Sequence, residues 1–149
     1  AIMRNQYGKP SFKNKEHIKF NISHCNGLIA CAVGLEEMGV DVENIRSFDD
    51  YVVIRVCNMK EINDIYSSHD SKRTFFTYWT MKESLGKALG VGLHYPLREN
   101  EFIKNGDGYL CNYEGLKIKN YEIDNKFSLS ICTDKNEEII LRGVNLDGR

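Results

Sequence analysis

No run of apolar residues in this chain of 149 residues approaches the ~20 that a membrane-crossing helix needs, and its N-terminus has no apolar signal core. Charge of one sign is also missing: Lys and Arg number 20 against 21 Asp and Glu, for a net charge of -1. Proteins that hold nucleic acid or an anionic membrane through their overall field carry a marked basic excess. Neither is therefore expected as a partner, and any phosphate must be bound locally. The cysteines number 5, Cys25, Cys31, Cys57, Cys111 and Cys132. An odd count without a CxxC pair argues against a disulfide framework and against a zinc site, so a reducing cytoplasm is the expected compartment. No GxxxxGK[ST] or GxGxxG phosphate loop occurs, no HExxH and no GxSxG elbow. His17, His69 and His94 lack partners at metal spacing, and no cysteine has a base beside it.

What is present is the balance of an ordinary globular domain, 42% hydrophobic and 28% charged, enough for one core. Residues 17–24 and 28–33 are rich in β-branched and apolar types, and Asn26-Gly27 between them favours a tight hairpin turn. Gly39-Val40-Asp41-Val42-Glu43 alternates, so a third strand would turn Val40 and Val42 to one side and Asp41 and Glu43 to the other. Residues 49–57, 60–67 and 71–89 read as helices. The last is the strongest, with Asp70 or Ser71 as N-cap, Phe75, Tyr78, Leu85 and Leu89 at helical spacing, and Gly90 and Gly92 at its end. Pro96 forbids its continuation. From residue 101 short runs return, the last being Glu138-Ile139-Ile140-Leu141-Arg142-Gly143-Val144, and they read as a second antiparallel set. Strands, helices, then strands predict an α+β fold with an antiparallel sheet packed on the long helix.

Two carboxylates two positions apart on a strand, Asp41 and Glu43, project side by side and offer hard oxygen ligands suited to Mg²⁺. Taken alone, the same pair reads first as a solvated strand face. Glu83 and Lys87 stand at i, i+4 on one helical face, with Trp79 one turn earlier. That spacing suits a surface ion pair, or a third carboxylate and an ammonium facing a phosphoryl group. Ser23 and His24 end the first hairpin strand, where both can reach a phosphate. Lys9 and Pro10 lie in a Tyr-Gly-Lys-Pro loop.

The series Tyr7-Gly8-Lys9-Pro10, Phe20-Asn21-Ile22-Ser23-His24, Gly39-Val40-Asp41-Val42-Glu43 and Trp79-Thr80-Met81-Lys82-Glu83-Ser84-Leu85-Gly86-Lys87 resembles the successive motifs of the surfactin-synthetase-activating phosphopantetheinyl transferases. It extends through Gly90-Val91-Gly92-Leu93, Tyr121-Glu122 and Phe127-Ser128-Leu129-Ser130. The resemblance implies that family's fold and its Mg²⁺-dependent transfer of 4'-phosphopantetheine from coenzyme A to a serine of an apo acyl or peptidyl carrier protein, with release of 3',5'-ADP. By the same likeness Asp41, Glu43 and Glu83 match metal ligands, and Glu83 or a water it orients takes the serine proton. Lys87 matches the lysine that contacts the pyrophosphate, Ser23 and His24 match phosphate-contacting positions, Lys9 and Pro10 match the loop beside the adenine, and Lys82 lies in the cofactor-binding motif. Family members carry a preceding lobe related to this one by pseudo-twofold symmetry. Residues 1–16 are then expected to be the end of that lobe or a linker, and residues 17–149 the lobe that bears the metal site. Shorter relatives build each site between subunits of a trimer but place the acidic motif near the N-terminus, so that architecture fits this chain less well; a homo-oligomer stays open. A relative that binds coenzyme A or a carrier protein without turnover is the alternative reading.

Overall fold

The computed structural model describes residues 1–91 and 96–146. The expectations placed on Gly92, Leu93 and His94 lie outside the described residues. The chain opens with a hairpin of β1 (Ile2–Arg4) and β2 (Pro10–Phe12), whose connection carries the Tyr-Gly-Lys-Pro loop. A second hairpin follows, β3 (Lys19–Cys25) and β4 (Leu28–Gly34), then strand β5 (Gly39–Asn44). Helices α1 (Asp50–Val56), α2 (Met59–Ser67) and α3 (Ser71–Leu89) lead through a short turn of 3-10 helix at Leu97–Glu99 to β6 (Phe102–Asn105), β7 (Gly108–Cys111), β8 (Leu116–Ile123) and β9 (Phe127–Asp134). The α+β expectation holds, and the long helix lies where it was expected, on the main sheet. Asp70 caps its start through the Arg73 amide, and Gly90, in the left-handed region at φ 70°, ends it.

The main sheet is antiparallel and five-stranded, in the order β5-β9-β8-β7-β6. β3 and β4 form a sheet of their own against the free edge of β5. That edge would leave backbone donors unpaired. Two β3 side chains satisfy them instead, Asn21 Oδ1 accepting from the Val40 amide at 2.8 Å and Ser23 Oγ from the Val42 amide at 3.1 Å.

Strand alternation decides which residues meet which layer. On one face Val40, Val42, Phe127 and Leu129 join Ala30, Ala32 and Met38 in one core cluster. On the other, Ser128 and Ser130 meet Thr80 of α3 at 3.0 and 2.8 Å, and Asn120 donates to both serines. The face of β5 that carries Asp41 is therefore not a solvated one: it is packed against α3, and Asp41 is only 5% exposed. Gly39 on that face lets the helix approach. A Cβ there would stand 2.0 Å from the Ser84 carbonyl oxygen and 2.4 Å from the Ala88 nitrogen.

One expected strand is absent. Residues 138–144 are irregular, and Ile140, Leu141 and Val144 are exposed. The extended apolar pattern is there, but β9 is already flanked by β5 and β8, so the segment that leaves it has no ladder beside its parent strand. Among the described residues no helix is long and apolar enough to cross a membrane.

Candidate active site

The packing of β5 on α3 draws charged side chains into the interior. Asp41 Oδ1 accepts from Lys87 Nζ at 2.8 Å and from Ser23 Oγ at 3.2 Å. The same ammonium donates to the Val40 carbonyl at 3.0 Å. Asp41 Oδ2 is buried and has no hydrogen-bond partner among the described residues. Burial pushes the Asp41 carboxyl above its usual range; the Lys87 ammonium opposes this and the Glu43 charge adds to it. Glu83 is raised as well, by burial and then by the Asp41 charge, with Lys87 opposing and Glu43 adding. The three carboxylates thus lie near enough to repel one another, and Lys87 relieves that repulsion only in part.

Glu43 is steered by two residues that sequence reasoning left without a role. Arg46 pairs with Glu43 Oε2 at 3.1 Å while its guanidinium lies 4.7 Å from the centroid of the Phe76 ring. Trp79 Nε1 donates to Glu43 Oε1 at 3.3 Å. Alternation along β5 and the helical repeat of α3 could have flagged Trp79, because it falls one turn before Glu83 on the same side. Nothing in the spacing marks Arg46.

The other expected site residues separate. Ser23 points into the cluster, but His24 is exposed on the opposite face of β3, because consecutive strand residues point opposite ways. Lys82 is 0% exposed and forms an ion pair with Glu61 at 2.9 Å, on the side of α3 away from the Asp41 cluster. Lys9 lies at the C-terminal end of α3, bonded to Glu37 at 2.6 Å and to the Ala88 carbonyl at 3.2 Å, and Pro10 opens β2. Thiol chemistry finds no support: burial pushes the Cys57 thiol up to about 12 and raises Cys25, Cys111 and Cys132 as well.

The Glu37 contacts give a pH prediction. Burial would raise this carboxyl, but the Lys9 and Lys19 ammoniums outweigh it and hold it below its ordinary 4.5. A carboxylate depressed on folding adds stability above its unfolded pKa and loses it as pH falls through the lowered folded value. Urea midpoints measured from pH 6 downward should therefore fall less steeply below about pH 4.5 for Glu37→Gln than for the wild type. Equal slopes would remove this pair from the acid response.

Whether the cluster suits a hard divalent cation can be judged from its own atoms. Three carboxylates in mutual repulsion and an unpartnered buried Oδ2 on Asp41 are the donor chemistry that such an ion satisfies. As placed, Asp41 is bonded to Lys87 and Glu43 to Arg46, and among the described residues no three acidic, His or Cys side chains enclose an ion. The donors have the chemistry for such an ion, and in this arrangement Lys87 and Arg46 balance their charge.

Comparison with known proteins places these features in context. Residues 37–139 match the family described as the 4'-phosphopantetheinyl transferase superfamily. A 4'-phosphopantetheinyl transferase of Bacillus subtilis is 31% identical over 85% of this chain and 60% of its own length. The 4'-phosphopantetheinyl transferase gsp of Aneurinibacillus migulanus is 33% identical over 68% of this chain and 43% of its own. The chain thus spans no more than 60% of the length of these relatives. Among solved structures, the holo-[acyl-carrier-protein] synthase of Thermotoga maritima has a similar fold, with a TM-score of 0.55 at 16% identity, covering 68% of this chain and 64% of that one.

Proposed function

Because the chain belongs to the 4'-phosphopantetheinyl transferase superfamily, we propose that the protein carrying it moves 4'-phosphopantetheine from coenzyme A to a serine of an apo acyl or peptidyl carrier protein and releases 3',5'-ADP. The activity is that of a holo-[acyl-carrier-protein] synthase, with a Mg²⁺ requirement and a cytoplasmic setting. The observation that carries this reading is the unpartnered Asp41 Oδ2 at the β5–α3 contact, beside Lys87 and facing Glu83.

In this reaction the carrier serine Oγ forms a bond to the β-phosphorus of coenzyme A, the bond from that phosphorus to the bridging oxygen breaks, and 3',5'-ADP departs with the electron pair. Glu83 is suited to accept the serine proton, because burial and the neighbouring carboxylates raise its pKa. Lys87, with its side chain 31% exposed, can turn from Asp41 to the departing phosphate as charge builds there. Ser23 holds Asp41 and ties it to the β5 backbone. Asp41, Glu43 and Glu83 would hold Mg²⁺, which when bound neutralises pyrophosphate charge.

Incubation of the protein with coenzyme A, Mg²⁺ and apo carrier proteins, followed by intact-mass measurement, should show a phosphopantetheine added to the carrier. Absence of the adduct across acyl and peptidyl carriers would overturn the reading. Release of ADP products without a carrier would point to a phosphohydrolase instead.

A further inference from the structure

Lys82 has no part in the reaction just described, yet it is the most deeply placed cation among the described residues. Its ammonium bonds Glu61 Oε2 at 2.9 Å and the Leu97 carbonyl at 2.7 Å, and it lies 5.4 Å from the centroid of the Phe102 ring. Glu61 is 4% exposed. Its Oε2 also accepts the Asn58 amide at 2.9 Å, closing the capping box that starts α2, while its Oε1 has no hydrogen-bond partner among the described residues. Asn58 in turn donates to the Asn100 carbonyl at 3.1 Å. One ammonium therefore ties together α3, the first turn of α2 and the turn at Leu97–Glu99.

A buried ion pair is a poor way to gain stability, since apolar side chains of similar volume do as well or better. An unpaired buried carboxylate oxygen adds a further cost. What the pair supplies is direction. The apolar contacts of Met81 and Leu85 attract without fixing an angle, whereas two short bonds from one ammonium hold the rotation of the helix on the side opposite the Thr80 bonds to Ser128 and Ser130. Lys82 and Glu83 are consecutive, about 100° apart around that axis, and Lys87 lies one turn beyond Glu83. Whatever sets the angle of Lys82 sets theirs.

We infer that Glu61 and Lys82 are positioning residues: their ion pair fixes the rotation of α3 that presents Glu83 and Lys87 to Asp41. The inference rests on the proposed transferase reading for its kinetic test, so a second readout independent of turnover accompanies it. In the protein as it exists, Lys82→Met alone strands the Glu61 charge and should lower both melting temperature and transfer. The double variant Glu61→Gln with Lys82→Met removes both charges and keeps the Asn58 cap. It should regain most of the melting temperature, while kcat for transfer stays at least tenfold low with an unchanged KM for the carrier. Its affinity for Mn²⁺, followed by the electron paramagnetic resonance of the free ion, should fall at least fivefold. If the double variant does not fold, Glu61→Asp, which keeps the charge and draws the carboxylate back by one methylene, should show the same two losses at threefold or more. Wild-type kcat or wild-type Mn²⁺ affinity in a folded variant would overturn the inference, as would a wild type that binds no Mn²⁺. A wild type that binds Mn²⁺ but transfers nothing refutes the transferase reading instead, and the Mn²⁺ comparison alone then decides the positioning role.

Discussion

Glu83→Gln should lower the rate of phosphopantetheine transfer by about 10³-fold while leaving the protein as stable as the wild type or more so. The two effects have one cause. Burial and the charges of Asp41 and Glu43 disfavour ionised Glu83 in the folded chain. A carboxyl whose pKa is raised on folding adds stability that is fully present below its unfolded value and is lost as pH rises through the folded one. Above that folded value the ionised Glu83 is a net cost to folding, and an isosteric neutral side chain removes it. The same substitution deletes the proton acceptor and one donor to the cation. Side chains strained for function commonly trade against stability in this way. Steady-state transfer and urea unfolding on the same sample check the pair of outcomes; a Gln variant that transfers at the wild-type rate would take Glu83 out of the mechanism. Asp41→Asn should lose transfer comparably. Its stability should hold or rise for the same reason, since burial raises the Asp41 carboxyl in spite of Lys87, and the partly exposed Lys87 keeps the Val40 carbonyl.

Much of this arrangement could be read from local pattern. Asn26-Gly27 fixed the β3–β4 turn, with Gly27 at φ 94°; Asp70 and Gly90 bounded α3; and the alternation of Val40 with Asp41 predicted which way each would face. The separations within the motifs share one physical origin, that neighbours in a motif are not neighbours in space. Ser23 and His24 adjoin in sequence and diverge because a strand reverses direction at each residue. Lys82 and Glu83 adjoin and diverge because a helix turns about 100° per residue, carrying the lysine towards Glu61 and the glutamate towards Asp41. Residues 138–144 failed differently. Their apolar pattern reports a tendency to be extended, but a strand needs an open ladder, and the edge of β5 is already closed by Asn21 and Ser23. Nor could the pattern announce Arg46, whose role depends on where Phe76 and Glu43 meet it.

Gly39 is the residue whose importance only the packing reveals, and Gly39→Ala should be the most damaging single methyl group that can be added to the site. The new Cβ would meet the Ser84 carbonyl oxygen at 2.0 Å, the Ala88 nitrogen at 2.4 Å and Lys87 Cβ at 2.8 Å. Two of these are backbone atoms of α3, so no side chain can swing aside and the helix itself must withdraw from β5. Overpacking of this kind costs about 3 kcal/mol at the upper end of its usual range, and the urea midpoint should fall with the slope of unfolding preserved. A withdrawal of about 1 Å also carries Glu83 and Lys87 away from Asp41, and a misplacement of that size costs on the order of 10²-fold in rate. Gly34→Ala is the control. Its Cβ would approach the Met38 Cε at 2.7 Å, the far end of a flexible side chain that can move, so both stability and transfer should stay near wild type. Were Gly39→Ala as mild as Gly34→Ala, the close seating of α3 on β5, and with it the geometric basis for placing Glu83 and Lys87 beside Asp41, would have to be abandoned.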